Sequence, residues 1–106
     1  MKFTHFHVHS QYSILDGAAS IPGLIDKAVA DGMPALALTD HGNMFGIKLF
    51  YDICRKKGLK PILGCEAYVA RVSRFNKEKP VDRSGEHLII LAKNLTGYKN
   101  LVKLTS

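Results

Sequence analysis

Apolar and polar positions alternate along most of this chain in two periods, one typical of helices and the other typical of strands. Apolar residues recur at helical spacing from Ile21 to Val29, between Ser20, a candidate N-cap, and Gly32, a candidate stop. A second helix is predicted from about Phe45 to Lys57, with Gly58 as its C-cap. Its predicted buried residues are Phe45, Leu49, Phe50 and Ile53.

Apolar runs predict strands at Lys2–Val8, Pro34–Thr39, Pro61–Val69 and His87–Ala92. Thr96 is the candidate N-cap of a last helix, whose apolar residues are Tyr98, Leu101, Val102 and Leu104. Strands that alternate with helices predict the α/β class with a mostly parallel sheet. Because so few strands cannot close a barrel, we expect residues 1–106 to be the first part of a single domain that continues beyond the chain end.

Composition is typical of a globular protein. The chain has 106 residues, enough for one domain, and 46% of them are hydrophobic. The longest unbroken apolar run, Leu88 to Ala92, is too short to cross a bilayer, and polar histidines follow Met1 where a secretory signal would be apolar. We therefore expect a cytoplasmic protein without membrane contact, in which Cys54 and Cys65 are reduced, half-buried thiols.

The net charge of +6 arises from 15 basic and 9 acidic residues. Much of the basic excess is concentrated at Arg55–Lys60 and at Arg71–Lys79. Such clusters favour acidic partners, of which nucleic acid is the first candidate. Each cluster taken alone also has a simpler explanation, as a solvated helix end or loop.

Histidines at alternate positions near the start of the chain are its most informative chemical feature. On a strand, His7 and His9 would point to the same face, and His5 lies one step behind them. Further candidate ligands stand near the ends of the predicted strands or in the loops that follow, where parallel α/β folds gather their chemistry. The full predicted set of metal ligands is His7, His9, Asp16, His41, Glu66 and His87.

Nitrogen and oxygen donors without a thiolate motif suit zinc, manganese or iron better than a structural cysteine-zinc site. A carboxylate shared among several imidazoles is what a cluster of two or three ions needs. Ions about 3.5–4 Å apart can hold both the attacking water and the leaving oxygen of a phosphate ester. His87 joins the set only if its strand returns antiparallel and meets Glu66. Asp40 is predicted to be catalytic, by orienting the His41 imidazole.

Most of these candidates also have a simpler structural explanation. His7 and His9 could be two exposed imidazoles on a strand. His41 could be a loop residue that caps a helix, and Asp16 could start a turn with Gly17. A buried and unpaired Glu66 would cost free energy, which favours a metal partner over a chance carboxylate.

Other chemistries have less support. His5 is expected to support a ligand or to lie satisfied in the core, and Cys65 is expected to be a core residue. The sequence contains no Walker A and no Gly-x-Gly-x-x-Gly pattern, so nucleotide binding by those loops is unsupported. It also lacks a Gly-x-Ser-x-Gly elbow, and neither cysteine has a histidine nearby in sequence, so covalent catalysis is unsupported.

Three longer segments resemble motifs of the PHP (polymerase and histidinol phosphatase) family. They read His-Val-His-Ser-Gln-Tyr-Ser-Ile-Leu-Asp-Gly at 7–17, Leu-Thr-Asp-His-Gly-Asn-Met-Phe-Gly at 38–46 and Leu-Gly-Cys-Glu-Ala-Tyr-Val at 63–69. Residues 87–104 are also similar to the PHP domain that begins the alpha subunit of bacterial DNA polymerase III. The likeness covers nearly the whole chain, and several motifs in one order are more specific than a single His-x-His.

The resemblance implies an irregular seven-stranded (β/α) barrel with a three-metal site on one face, of which this chain would hold the first part. It implies phosphoesterase chemistry, which in polymerase PHP domains is a 3′–5′ exonuclease or pyrophosphatase where the site is intact. The family's ligand positions fall on the six residues named above, and its later ligands would lie beyond Ser106. The implied partners are DNA, reached through the parent polymerase, and other polymerase III subunits.

Three functions remain open at this point. The chain could belong to a PHP domain in a DNA-directed DNA polymerase, a nucleotidyltransferase that acts in DNA replication. It could instead belong to a stand-alone PHP phosphatase that acts on a small phosphomonoester such as histidinol phosphate. A third possibility is a non-catalytic scaffold, in which metal ties strand ends together and docks other polymerase parts. The chain alone is expected to self-associate through open sheet edges.

Overall fold

The part of the chain that the structure describes contains three helices and three strands. The computed structural model describes residues 2–75 and 85–106. In chain order its elements are α1 (Ile21–Ala30), β1 (Ala35–Leu38), α2 (Ile47–Lys57), β2 (Lys60–Val69), β3 (Glu86–Leu91) and α3 (Leu95–Thr105). The predicted α/β class is therefore confirmed.

The sheet has the strand order β1-β2-β3 and contains both kinds of pairing. β1 pairs with β2 in parallel, with Ala35 opposite Lys60. β2 pairs with β3 antiparallel, with Tyr68 opposite His87. The antiparallel return on which the prediction for His87 depended is therefore present. Residues 76–84 lie between β2 and β3, and part of the predicted basic cluster Arg71–Lys79 therefore falls outside the described residues.

The stretch predicted as the first strand, Lys2–Val8, runs beside β1 but does not form a regular strand, and it bends at Phe6. The Ala37 N–H donates to the His5 carbonyl at 3.1 Å, and the Thr39 N–H donates to the Val8 carbonyl at 2.8 Å. The Val8 N–H, however, donates to the Thr39 hydroxyl at 2.9 Å and not to a backbone carbonyl. The prediction of a strand was wrong because a side chain replaces the partner that a regular ladder would use.

The predicted start of α1 and the predicted stop of α2 are confirmed. The Gly23 N–H donates to the Ser20 hydroxyl at 3.2 Å, which satisfies one of the free donors of the first helical turn. α2 ends at Lys57, and its C-cap Gly58 has a φ of 73°, in the left-handed region that favours glycine.

The buried face of α2 differs from the predicted one. Phe45 precedes the helix and is 77% exposed, and Leu49 is 44% exposed. Because the helix begins at Ile47, its buried stripe runs through Ile47, Phe50 and Cys54. Of the predicted residues, Phe50 is therefore the one that lies fully in the core.

The last helix also differs from its prediction. Asn94, and not Thr96, is the N-cap, since its side chain accepts a hydrogen bond from the Gly97 N–H at 2.9 Å. Within α3, Leu101 is buried, whereas Val102 and Leu104 are 41% and 71% exposed. The apolar face of α3 is only partly covered by the described residues.

The core lies between α1, β1 and α2. All residues of β1 are buried, and Phe50 and Cys54 of α2 pack into the same cluster. Both cysteines are free and fully buried, not half-buried, at 0% and 1% exposure for Cys54 and Cys65. None of the described helices has the length and apolarity to span a bilayer.

Candidate metal centre

The carboxyl ends of β1 and β2 meet at one rim of the sheet. Beyond the last residue of β1, His41 lies opposite Glu66 as a parallel bridge. The Glu66 N–H donates to the Asp40 carbonyl at 3.0 Å, and the Gly42 N–H donates to the Glu66 carbonyl at 2.9 Å. The backbone therefore carries two predicted ligands from different strands to the same place.

Glu66 lies at the centre of four imidazoles. Its Oε2 lies 3.0 Å from His7 Nε2 and 2.5 Å from His9 Nε2, with His41 Nδ1 at 3.3 Å. Its Oε1 lies 2.8 Å from His87 Nδ1. Three imidazoles thus face one carboxylate oxygen and the fourth faces the other, so both oxygens of Glu66 have candidate metal ligands beside them.

The Glu66 carboxylate is almost inaccessible to solvent, at 3% exposure of the side chain. Burial by itself raises the pKa of this carboxyl, but the hydrogen bonds from His7 and His9 and the charge of His41 outweigh burial. The net effect is a pKa of Glu66 below its ordinary value. A buried carboxylate that stays ionised requires cationic or hydrogen-bonding partners, and a bound cation would serve the same purpose.

Asp16 closes the other side of the cluster. Its Oδ2 lies 3.5 Å from His9 Nδ1 and forms a hydrogen-bonded contact with His41 Nε2. In contrast to Glu66, the Asp16 side chain is 57% exposed. His9 and His41 therefore each lie between a buried carboxylate and an exposed one.

The donor set of the rim fits divalent metal ions. Three overlapping groups have ligand atoms that lie within 4.8 Å of one another: His7, His9 and Glu66; His9, Asp16 and His41; and His41, Glu66 and His87. All their donors are imidazole nitrogens or carboxylate oxygens, which suits zinc, manganese or iron. These are the six residues that the sequence analysis selected. The structure brings all of them together, and we call these six residues the rim cluster.

The overlap of these groups limits how many ions they can hold at once. A neutral imidazole has a single lone pair for coordination, since its other nitrogen carries a proton. His9 and His41 each belong to two groups and can complete only one of them at a time. These residues therefore supply complete three-ligand sets for at most two ions, and both of those sets contain Glu66.

Asp40 lies beside the cluster without contacting it in the predicted way. Its carboxylate accepts hydrogen bonds from Ser10 and Ser13, at 2.6–2.8 Å. Among the described residues, none of its hydrogen bonds reaches a ring nitrogen of His41. The expectation that Asp40 orients this imidazole directly is therefore not met, because two serines occupy its acceptors.

Two further side chains near the rim differ in their relation to it. His5 is exposed and contacts the Phe3 ring edge-on, with 4.7 Å between ring centroids, and it does not join the ligand groups. Tyr68, which the sequence analysis did not select, places its hydroxyl 2.9 Å from His41 Nδ1 and packs against the His87 ring. Its signal in the sequence was its position two residues after Glu66, on the same face of β2.

Comparison with known families identifies the fold to which this rim belongs. The family model described as the PHP domain matches residues 5–106. The chain belongs to the PHP family. The match spans nearly all of the chain, including all six residues of the rim cluster.

Bacterial polymerase subunits are among the proteins to which the chain is similar. The chain is 55% identical to the DNA polymerase III subunit alpha of Treponema pallidum over 107 aligned residues, and 55% identical to that of Borreliella burgdorferi over 106. These alignments cover 100% and 99% of the chain. The chain spans only 9% of the length of either relative.

Solved structures with the same fold include hydrolytic enzymes. An amidohydrolase from Chromobacterium violaceum, determined with bound sulfate and no metal, matches with a TM-score of 0.66 and 25% identity, over 94% of this chain and 32% of that one. A protein from Bifidobacterium adolescentis assigned as a metal-dependent phosphoesterase matches with a TM-score of 0.67 and 19% identity, over 96% and 32%. The second likeness concerns the fold alone.

Proposed function

We propose that the rim cluster is the metal-binding part of a phosphoesterase-type PHP domain. The observation that carries this proposal is the convergence of four imidazoles on the buried Glu66 carboxylate. A buried carboxylate surrounded by imidazoles is an arrangement that proteins use to bind cations, because an unpaired buried charge would cost free energy. The family membership of the chain supports the same function.

In this proposal, each ligand has a distinct task. Glu66 would contribute to two ions, and His7 with His9 and His41 with His87 would complete their two ligand sets. Asp16, which is exposed, competes for His41 and faces solvent, where a substrate phosphate would arrive. When bound, the ions would supply Lewis-acid activation of water and of a phosphate ester.

The metal is proposed to be zinc, manganese or iron, since imidazole and carboxylate donors suit all three. The six residues hold at most two ions, so a third ion would need ligands from elsewhere in the domain. The chain covers 32% of the length of either solved relative with this fold. We therefore propose that residues 1–106 are one part of a single PHP domain that is completed by further chain as a (β/α)7 barrel.

We further propose that the parent protein is a DNA polymerase III alpha subunit that acts in DNA replication in the cytoplasm. The 55% identity to two such subunits over essentially the whole chain supports this assignment. Its partners would be DNA and other polymerase III subunits, and its PHP domain would act as a 3′–5′ exonuclease or a pyrophosphatase. The exposed basic residues at the end of α2, Arg55 to Lys57, are available for contact with DNA.

Metal content, measured by plasma mass spectrometry after incubation with zinc or manganese, tests the first proposal. We expect up to two ions in the full chain and fewer in His7→Ala. His5→Ala is the matched control, because it removes an exposed histidine from the same segment that lies outside the cluster. Equal metal content in all three proteins, or no bound metal in any, would contradict the metal centre.

Cleavage assays then separate the possible functions. The subunit that carries this domain is tested on a 3′-labelled primer, on pyrophosphate and on histidinol phosphate, with and without a chelator. Metal-dependent cleavage of the primer or of pyrophosphate supports the polymerase assignment, whereas preference for histidinol phosphate favours a stand-alone phosphatase. A chelator that lowers thermal stability, without cleavage of any substrate, favours the scaffold.

A further inference from the structure

A second buried carboxylate, Asp40, lies behind the cluster and is 1% exposed. Its Oδ1 accepts hydrogen bonds from the Ser10 N–H at 2.6 Å and from the Ser13 hydroxyl at 2.7 Å. Its Oδ2 accepts from the Ser10 hydroxyl at 2.8 Å. Both serines are buried as well, at 0% and 1% exposure, so these hydrogen bonds are shielded from water.

Ser13 connects Asp40 to two residues of the cluster by hydrogen bonds. Its hydroxyl, which donates to Asp40, also accepts from the His41 N–H at 3.1 Å. Its carbonyl accepts from the Asp16 N–H at 3.0 Å and from the Gly17 N–H at 2.8 Å. One residue therefore connects the backbone of two candidate ligands to the buried carboxylate.

Ser10 anchors a third candidate ligand through the chain itself. It directly follows His9, and both its backbone and its hydroxyl are held by Asp40. The loop then returns so closely that a Cβ atom on Gly17 would lie 2.1 Å from the Ser10 carbonyl oxygen. The loop from Ser10 to Gly17 is thus fixed at both ends.

The backbone of this loop is strained at one position. Leu15 has a φ of 70°, in the left-handed region that a leucine rarely adopts, and its side chain is fully exposed. An exposed side chain contributes no packing that would offset this strain. The hydrogen bonds to Ser13 on the next residues are what hold the turn, and they direct Asp16 towards His41.

From these contacts we infer that Asp40 and Ser13 are positioning residues for the candidate ligands His9, Asp16 and His41, and that they hold the backbone of these three residues in place before any ion binds. The inference rests on the proposed function in one respect, namely that these ligands bind metal. Neither residue contacts a ligand atom of the group. They act on the backbone from which the ligands project, as outer hydrogen-bond partners of metal sites do.

Metal affinity of Ser13→Ala, measured by calorimetric titration of the full chain with zinc, tests this inference. The variant removes the hydroxyl that joins Asp40 to His41, and we expect an affinity lower by about tenfold or more. Ser20→Ala is the matched control, because the Ser20 hydroxyl caps α1 and lies outside the cluster. It should lower the thermal midpoint and leave the affinity unchanged.

An affinity of Ser13→Ala within twofold of the wild-type value, in a folded protein, would overturn the inference. Asp40→Asn provides the conservative test, because the amide keeps one oxygen acceptor and the shape of the side chain. We expect its affinity to lie between those of the wild type and Asp40→Ala. Equal affinities for all three proteins would also overturn the positioning role.

Amide hydrogen exchange in the metal-free wild-type chain tests the inference without any variant that could fail to fold. Four amides of the described loop and its surroundings donate hydrogen bonds, namely those of Ser10, Asp16, Gly17 and His41. They should exchange at least tenfold more slowly than the Leu15 amide, which donates none of the hydrogen bonds described for this loop. If these amides exchange as fast as that of Leu15, the loop is not preformed and the inference fails. Because no metal is present, this result is independent of whether the proposed function is correct.

Discussion

The rim cluster and the core beneath it are both buried parts of one small fold, but they are held by different forces. The core between α1, β1 and α2 consists of apolar side chains such as Ile25, Leu38 and Phe50. At the rim, in contrast, the buried groups include two carboxylates, Asp40 and Glu66, each surrounded by hydrogen-bond donors. Apolar burial stabilises the fold without regard to direction, whereas the rim depends on the position of individual atoms. Changes in the two regions should therefore be separable.

Phe50→Ala should produce the largest loss of stability. Phe50 is 0% exposed and belongs to the core cluster. Truncation of a buried phenylalanine removes apolar contacts and leaves a cavity, which costs about 3–5 kcal/mol in free energy of unfolding. Denaturant unfolding monitored by circular dichroism measures this loss.

The exposed Phe45 supplies the matched control for this prediction, since Phe45→Ala removes the same side chain from a position that is 77% exposed. Its effect should stay within about 0.5 kcal/mol. Comparable losses for both variants would mean that the core is not where the structure places it.

The second prediction concerns Glu66→Gln, which keeps the shape of the side chain and removes its charge. Glu66 belongs to two of the three ligand groups, so the variant should hold at most one ion, in the group of His9, Asp16 and His41. We expect the overall metal affinity to fall by roughly a hundredfold or more, since the loss of even an outer partner of a metal ligand costs up to about that much. Titration calorimetry and metal analysis measure both quantities.

Asp16→Asn is the comparison variant, because it leaves the two groups that contain Glu66 intact. It should still hold two ions. If Asp16→Asn loses metal as completely as Glu66→Gln does, Glu66 is not a ligand of both ions.

The core could be predicted well from the sequence because its signals are local. Ser20 and the apolar spacing after it predict α1, and the continuous apolar run after Pro34 predicts a buried strand. Predictions failed where an element's start determined its buried face. The true start of α2 at Ile47 leaves Phe45 and Leu49 exposed.

The rim could be predicted in its membership but not in its internal contacts. Residue type and position at strand ends selected the six clustered residues, but their pairing depends on register and loop conformation. Asp40 accepts hydrogen bonds from Ser10 and Ser13 and not from His41 because the loop after His9 brings both serines to its carboxylate, which no local pattern in the sequence encodes. Tyr68 was missed because its contact with His41 joins β2 to the segment after β1, and these two parts of the chain lie side by side only in the folded sheet.

Gly17→Ala should give a smaller effect that is directed at the rim. A Cβ atom at this position would lie 2.1 Å from the Ser10 carbonyl oxygen, so the loop would have to move. We expect a loss of about 1–3 kcal/mol in free energy of unfolding, as for other forced contacts, together with weaker metal binding. Gly32→Ala is the control, since nothing lies within 4 Å of its Cβ position, although its φ of 73° makes it mildly destabilising. Weaker metal binding in the control variant would show that the effect of Gly17→Ala is not specific to the rim.

The last predicted effect is a loss of stability at alkaline pH that originates in the core. Burial raises the pKa of the Cys54 thiol from 9.0 to about 11. The folded protein therefore keeps this proton in the pH range where the unfolded chain releases it, and unfolding becomes more favourable as the proton is lost. This contribution to stability is complete below pH 9 and should disappear between pH 9 and about 11.

Denaturant unfolding at pH 8 and at pH 10.5 measures the difference in stability between the two pH values. This difference should shrink in Cys54→Ala, even though that variant is less stable at both values. Cys65, under the rim, also has a pKa raised first by burial and should add a part of the slope that survives in the variant. If the pH dependence is identical with and without the Cys54 thiol, that thiol is in contact with water. This result would contradict its place in the apolar core.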